Sequence, residues 1–140
     1  MTRIEWQDSM HALQSGPMDA AHQEFVALTN ALADAPDGEE LARLTQLFVH
    51  CKDHFAQEKT WMETSRMPGI DNHLRDHEGV LTLLESAAAD LRGGQHGAGR
   101  DAAESLAAWF GQHAATLDAA LAFHMQQVAH AGNSGIPAVG

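Results

Sequence analysis

Three clusters of helix-breaking residues divide the 140-residue chain into four long segments. The clusters are Pro36 to Gly38, Met67 to Gly69 and the glycine-rich stretch 93–99. Between them Ala, Leu, Glu and Gln dominate, and no segment shows the alternating Val, Ile and Thr pattern of a β-strand. Because helices joined by short connections pack as antiparallel neighbours, the sequence predicts an all-α, up-down-up-down antiparallel four-helix bundle with a short N-terminal arm.

Each segment places apolar residues at three- and four-residue steps, as a helix with one buried face does. The predicted helices run from about Asp19, a candidate N-cap, to Ala33, from Gly38 to Ser65, from Asp71 to Leu91, and from Arg100 to beyond Phe123. The bundle therefore spans residues 19–130. Residues 1–18 form the arm, with Trp6 as its large anchor, and residues 131–140 are predicted to be a disordered tail.

Composition excludes several classes of partner. The 8 basic and 19 acidic side chains give a formal charge of -11, which repels phosphate backbones and anionic membrane surfaces, so we expect no nucleic-acid partner. No apolar window approaches the roughly 18 residues of a membrane span, and the start lacks the apolar run of a secretory signal. The single Cys51 cannot form an internal disulfide, which agrees with a reducing compartment. The sequence predicts a cytoplasmic protein with no membrane partner.

Histidine is the unusual component, because the 10 histidines outnumber the 8 lysines and arginines. Several histidines interrupt the apolar stripes, although an unpaired buried polar group costs about 1 to 3 kcal/mol. The interrupting residues come from all four predicted helices and are His22, His54, Glu58, His73, His77, His113 and Asp118. A short loop joins the end of the second helix to the start of the third, so antiparallel packing brings the seven residues to one level of the bundle.

The spacing of these residues suits one helical face in all but one case. His54 and Glu58, like His73 and His77, are four residues apart, which is about 40° around a helix. Asp118 follows His113 by five residues, and ideal geometry would turn it about 140° away. Either the helix is locally distorted, as in a π-bulge, or the aspartate reaches around it.

Five imidazoles and two carboxylates are too many ligands for one zinc ion and too rich in nitrogen for magnesium or calcium. They suit two first-row ions such as iron, with the carboxylates bridging the pair. With an added oxo or hydroxo bridge, an ion with three histidines is six-coordinate. An ion with two histidines is five-coordinate, and its single open position suits dioxygen. For one inward histidine a structural role is the simpler explanation, but seven such residues together favour a metal centre.

From about residue 6 to residue 121, the chain resembles the hemerythrins, specifically the single-domain bacterial members. The resemblance rests on Trp6, DAAH at 19–22, HFAQE at 54–58, HLRDH at 73–77 and WFGQHAATLD at 109–118. It also accounts for the five-residue step to Asp118, because the family uses the same arrangement. The chain departs from the family's common residues at Ala21, usually Gln, and at Phe110 and Ala114, often Leu and Ile, which alters the shape of the ligand pocket.

The resemblance implies a role for each residue of the set. His73, His77 and His113 would bind the coordinatively saturated iron, and His22 and His54 the iron with the open site. Glu58, Asp118 and an oxo or hydroxo group would bridge the two iron ions. The remaining histidines are predicted to have structural or solvated roles, and they are His11, His50, His96, His124 and His130.

The leading functional hypothesis is reversible binding of dioxygen, for storage, delivery or sensing; a sensor would require a protein partner. A di-iron enzyme or responsive protein acting on dioxygen, peroxide or nitric oxide is the alternative. The preponderance of imidazole over carboxylate and the absence of tyrosine weigh against an oxidase. A structural or storage bundle that holds zinc or another divalent ion also stays open.

Overall fold

The computed structural model describes residue 4 and residues 16–133. Trp6, His11 and most of the predicted arm therefore lie outside the described residues, as do residues 134–140 of the predicted tail. The helices are α1 (Gly16–Ala33), α2 (Glu40–Thr64), α3 (Ile70–Arg92), α4 (Ala98–His113) and α5 (Ala119–Asn133). A π-helical turn, Ala114–Asp118, joins α4 to α5 with helical backbone angles on both sides, so residues 98–133 form one continuous rod.

Four helical rods result, and each packs against two neighbours. α2 contacts α1 and α3, and α4 contacts α3 and α1, so that α1 and α4 close the ring. The described residues contain no β-strand. The prediction of an all-α, antiparallel four-helix bundle is confirmed. Among the described residues, no helix combines the length and apolar character that crossing a membrane requires.

The ends of two helices differ from the prediction. α1 begins at Gly16, so Asp19 lies in its first turn and is not the N-cap. Pro17 fits the first turn of a helix because its fixed φ and missing N–H cost nothing there. The earlier start brings Met18, which is completely buried, onto the apolar face of α1. At the other end of the chain α5 continues to Asn133, so residues 131–133, predicted as tail, are helical.

The core consists of two apolar clusters with a polar layer between them. The larger cluster fills most of the bundle and includes Phe25, Leu44, Leu84 and Leu106. The smaller cluster lies towards the start of α1 and contains Met18, Met62, Leu121 and Ala122. Along α1 the order is Met18, His22 and Phe25, so the polar residue separates the two clusters. Apolar packing on both sides keeps water from the polar layer.

Candidate metal centre

The polar layer contains all seven residues that the sequence singled out. α1 contributes His22, α2 His54 and Glu58, α3 His73 and His77, and the last rod His113 and Asp118. None of the seven is more than 9% exposed. Their nitrogen and oxygen atoms fall into two groups that could each hold a metal ion, and Glu58 belongs to both groups.

The π-helical turn decides how Asp118 enters the cluster. Its wider turn, in which residues five apart are hydrogen-bonded, brings Asp118 back to the side of His113. Asp118 Oδ1 lies 2.9 Å from His113 Nε2. Of the two explanations that the spacing left open, local distortion of the helix is therefore the one the fold uses.

Three histidines lie beside Glu58 Oε1 and Asp118 Oδ1, two near each oxygen, and we call this group the three-histidine half. Glu58 Oε1 lies 3.4 Å from His73 Nε2 and 3.2 Å from His77 Nε2. Asp118 Oδ1 lies 3.0 Å from His73 Nε2 and 2.9 Å from His113 Nε2. The Nε2 atoms of His77 and His113 are themselves 3.2 Å apart, so the three rings converge on one point.

The other oxygen of each carboxylate faces the remaining histidines, which form the two-histidine half. Glu58 Oε2 lies 2.6 Å from His54 Nε2 and 3.9 Å from His22 Nε2. Asp118 Oδ2 lies 2.9 Å from His22 Nε2. Each carboxylate thus divides its two oxygens between the two halves.

These distances fit a pair of metal ions. Two ligand atoms at right angles, each about 2.1 Å from an ion, are about 3.0 Å apart, close to most of the separations in both halves. The ion pairs of Glu58 and Asp118 among the described residues are all with histidines, and neither involves Lys or Arg. Glu58 Oε1 and His22 Nε2 are buried, and although each lies within 3.4 Å of a candidate ligand atom, neither makes a well-aligned hydrogen bond with a described residue. The buried nitrogen and oxygen atoms are therefore arranged so that they could hold two cations.

The pKa values of the cluster also fit a site for cations. Burial raises the pKa of a carboxyl group, but the histidine nitrogens around Glu58 and Asp118 outweigh it and hold both pKa values below their usual range. Burial lowers the pKa of His73, whereas the two carboxylates outweigh it and raise that pKa to about 9. Burial keeps the pKa of His77 lowered. A metal cation can replace the proton that the carboxylates otherwise retain on His73.

Aromatic rings cover the outer sides of the histidines. Phe55 stacks on His77 with ring centroids 3.9 Å apart, and Trp109 stacks on His113 at 4.3 Å. Phe110 meets His22 edge-on at 5.4 Å. Phe110, where the chain departs from the common family residue, therefore contacts the two-histidine half.

Two further histidines tie helices together near the centre. His50 Nε2 lies 3.1 Å from the Ala21 carbonyl oxygen, so His50 links α2 to α1. His124 Nε2 lies 2.7 Å from the carbonyl oxygen of Ser65, the residue that follows α2. Neither belongs to the seven-residue cluster.

Sequence reasoning missed Asp76 and Met18. Asp76 Oδ2 lies 2.5 Å from His113 Nδ1. Its position directly before His77 gives no periodic signal, because its partner is on another helix. Met18 could have been found, since it is four residues before His22 and extends the same stripe.

The fold and the cluster define a four-helix protein with a metal-binding centre made from all four rods. Residues 16–122 match the family model of the hemerythrin HHE cation binding domain. The chain is also similar to a bacteriohemerythrin of Ralstonia nicotianae, with 33% identity over 118 residues that cover 84% of this chain and 85% of that protein. The chain therefore belongs to the hemerythrin family. No solved structure matches it significantly.

Proposed function

We propose that this protein is a non-haem di-iron protein that binds dioxygen reversibly. The observation that carries the proposal is the division of both carboxylates between three histidines on one side and two on the other. Membership of a cation-binding family and similarity to a protein named bacteriohemerythrin support it. The cytoplasmic location suggested by the sequence stays a prediction.

In this proposal the seven residues are the ligands. His73, His77 and His113 hold one iron, His22 and His54 hold the other, and Glu58 and Asp118 bridge the two. Two ferrous ions, joined also by an oxo or hydroxo bridge, would supply one electron each to one dioxygen molecule.

Because the two halves have unequal numbers of histidines, they differ in whether an external molecule can bind to the ion. The two-histidine half contributes one protein ligand fewer, so it is the half at which an external molecule can enter. His22 in that half contacts Phe110, which stacks on Phe25 with centroids 5.1 Å apart. These rings exclude water and so favour release of dioxygen over its reduction.

The composition of the centre favours a binding protein over an enzyme. Neutral imidazoles outnumber carboxylates by five to two, whereas anionic ligands are what stabilise high-valent iron. The sequence contains no tyrosine, so a tyrosyl radical cannot form. Storage, delivery and sensing all use reversible binding, and a sensing role would add a protein partner.

The test is an anaerobic titration of the metal-free protein with ferrous iron, followed by a cycle of oxygen. We expect two irons per chain and a visible charge-transfer band that appears with oxygen and disappears when oxygen is removed. His54→Ala should lose the band and bind less iron, while retaining most of its helicity. His50→Ala is the matched control, because His50 lies one turn earlier on α2 and outside the cluster, and it should behave as the wild type.

Several outcomes would contradict the proposal. Rapid conversion to a ferric form that oxygen removal does not reverse would indicate an oxidase or redox sensor. Binding of one ion, or of zinc in preference to iron with no colour, would indicate a structural or storage site. A normal oxygen cycle in His54→Ala would show that the ligand assignment is wrong.

A further inference from the structure

Asp76, on α3, connects the edge of the bundle to the three-histidine half. Its Oδ2 accepts a hydrogen bond from Trp109 Nε1 at 3.1 Å and lies 2.5 Å from His113 Nδ1. The Asp76 side chain is 38% exposed, while that of His113 is 2% exposed. One oxygen of a half-exposed carboxylate thus holds two rings of α4.

The two rings that Asp76 holds are also in contact with each other. Trp109 and His113 stack with centroids 4.3 Å apart and an interplanar angle of 24°. With Asp76 Oδ2 as their common acceptor, neither ring can turn without losing a hydrogen bond or the stacking contact. The imidazole plane of His113 is therefore fixed from its outer side.

The contact also determines which nitrogen of His113 faces the cluster with a lone pair. A carboxylate at Nδ1 accepts a hydrogen bond from that nitrogen, so the neutral ring carries its hydrogen there. His113 Nε2 then presents its lone pair towards Asp118 Oδ1 at 2.9 Å and His77 Nε2 at 3.2 Å. Asp76 acts through the imidazole, because the ring stands between its carboxylate and the centre.

Other histidines of the cluster lack such a partner. The Nδ1 atoms of His22, His54 and His77 are buried and form no hydrogen bond with any described residue. Both histidines of the two-histidine half are in this group. An anionic hydrogen-bond partner at Nδ1 of a candidate ligand histidine is thus present on the three-histidine half, and no described residue supplies one on the two-histidine half.

We propose that Asp76 is a positioning residue that sets the order of metal binding. By fixing the tautomer and orientation of His113 and strengthening it as a donor, Asp76 makes the three-histidine half the tighter of the two sites. The inference rests on the proposed two-ion centre. A carboxylate that holds the outer nitrogen of a ligand histidine typically contributes about 10- to 100-fold to metal affinity.

The test uses cobalt(II), whose visible absorption reports its coordination, added stepwise to the metal-free full-length protein. The wild type should bind two ions with unequal constants. Asp76→Asn, which keeps the size and removes the charge, should weaken the tighter constant by about 10- to 100-fold and leave the weaker one unchanged. Asp76→Glu should restore most of the affinity. Trp109→Phe, which keeps a ring and removes one hydrogen bond to Asp76, should have a smaller effect of the same kind.

Asp53 provides a matched control. It precedes His54 on α2 as Asp76 precedes His77 on α3, and it is exposed. Asp53→Asn removes the same charge at the same distance along the chain from a predicted ligand, so it should leave both constants unchanged. If Asp53→Asn weakened binding as much as Asp76→Asn, the effect would be one of general charge, and the inference would be overturned.

A second readout reports the tautomer directly. In the zinc-loaded protein labelled with ¹⁵N-histidine, the NMR spectrum should show a slowly exchanging proton on His113 Nδ1, and Asp76→Ala should lose this protection. If Asp76 only linked α3 to α4, its variants would be less stable without metal, but the ratio of the two metal-binding constants would not change. That result would overturn the inference.

The cobalt titration also separates the inference from the proposed function. If the wild type bound fewer than two ions, the proposed function would fail. If the wild type bound two ions and Asp76→Asn bound them equally well, only the role of Asp76 would fail.

Discussion

The two ends of the bundle each bury a carboxylate from α2, but different kinds of residue surround the two carboxylates. Glu58 lies in the metal centre, and Glu40 lies eighteen residues earlier, about 27 Å away along the helix axis. Both are 0% exposed. We call the end around Glu40 the closed end, defined by Glu40, Arg100 and Gly97.

At the closed end the chain's own donors satisfy the carboxylate. Glu40 Oε2 accepts a hydrogen bond from the backbone N–H of Gly97 at 2.8 Å, and Oε1 accepts one from that of Arg100 at 3.0 Å. These are N–H groups at the start of α4, which lack partners within their own helix. The guanidinium of Arg100 adds an ion pair at 3.3 Å. Glu40 thus caps a neighbouring helix, and Gly97 allows the approach with a φ of 93°.

The closed end also contains a cluster that superficially resembles a metal site. Asp37, Glu40 and His96 each offer an atom within reach of a common ion. Arg100 already supplies positive charge there, and its hydrogen bond lowers the pKa of Asp37. At the metal centre the described partners of Glu58 are histidines, and Glu58 Oε1 has no hydrogen bond among them. Burial of an acid therefore does not mark a metal site; the absence of a described Lys or Arg partner, with histidines in their place, distinguishes Glu58 from Glu40.

Glu58→Gln tests this distinction most strongly. Because each Glu58 oxygen faces a different half, we expect the affinity for both ions to fall by more than about 100-fold, above the contribution of outer partners. The metal-free variant should also lose stability, because the histidines that hold the pKa of Glu58 low stabilise its carboxylate in the folded protein. Calorimetric titration with ferrous iron and thermal unfolding without metal measure the two effects.

Glu63→Gln is the control for that variant, because Glu63 is an exposed acid on the same helix. It should change neither quantity appreciably. If Glu58→Gln still bound two ions tightly, Glu58 would not be a bridge. If it lowered the stability of the metal-free protein but left iron binding intact, Glu58 would resemble Glu40, and the contrast between the two ends would fail.

Glu40→Ala should lower stability without affecting metal binding. Removing the carboxylate leaves two N–H groups at the start of α4 without acceptors and Arg100 without a buried partner. We expect the free energy of unfolding to fall by about 3 kcal/mol, with two ions still bound. Urea denaturation of the metal-free protein and iron stoichiometry measure these. Glu39→Ala, one residue earlier and exposed, should lose well under 1 kcal/mol. A loss of iron binding in Glu40→Ala would show that the two ends are coupled.

The sequence predicted what depends on spacing along the chain. The four amphipathic segments specify the bundle, and antiparallel packing brings His54 and His73 to one level because a short loop joins their helices. Spacing alone could not place Asp118, because its five-residue step from His113 was compatible with a distorted helix or with a side chain that reaches around the helix. The structure shows the π-helical turn.

Contacts between residues distant in the sequence could not be predicted. Asp76 bonds to residues 33 and 37 positions away, and Glu40 to one 57 positions away. Neither acid interrupts a sequence pattern. The partner of each acid lies on another helix, so the spacing along the acid's own helix does not indicate it. The proposed tuning of the metal centre and the capping of α4 both depend on such contacts. Periodicity therefore indicates the candidate ligands but not the residues that support them.

The smallest expected effects compare two glycines of α4, one at each end. A Cβ at Gly99 would lie 3.1 Å from Glu40 Oε1 and 3.1 Å from Leu32 Cδ1. The leucine can shift, but the hydrogen bonds of Glu40 fix its carboxylate. We expect Gly99→Ala to lower the free energy of unfolding by about 1 to 2 kcal/mol through overpacking. Urea denaturation of the metal-free protein measures the loss.

Gly111→Ala is the matched substitution near the metal centre, where a Cβ would meet no atom within 4 Å. Alanine in place of glycine in a helix favours the helix by about 1 kcal/mol, so this variant should be slightly stabilised. If the two substitutions changed the free energy of unfolding in opposite directions, α4 would be tightly packed against Glu40 at the closed end and loosely packed at Gly111 near the metal centre. If Gly99→Ala were also stabilised, Glu40 would be free to move, and its role as a rigid cap of α4 would be disproved.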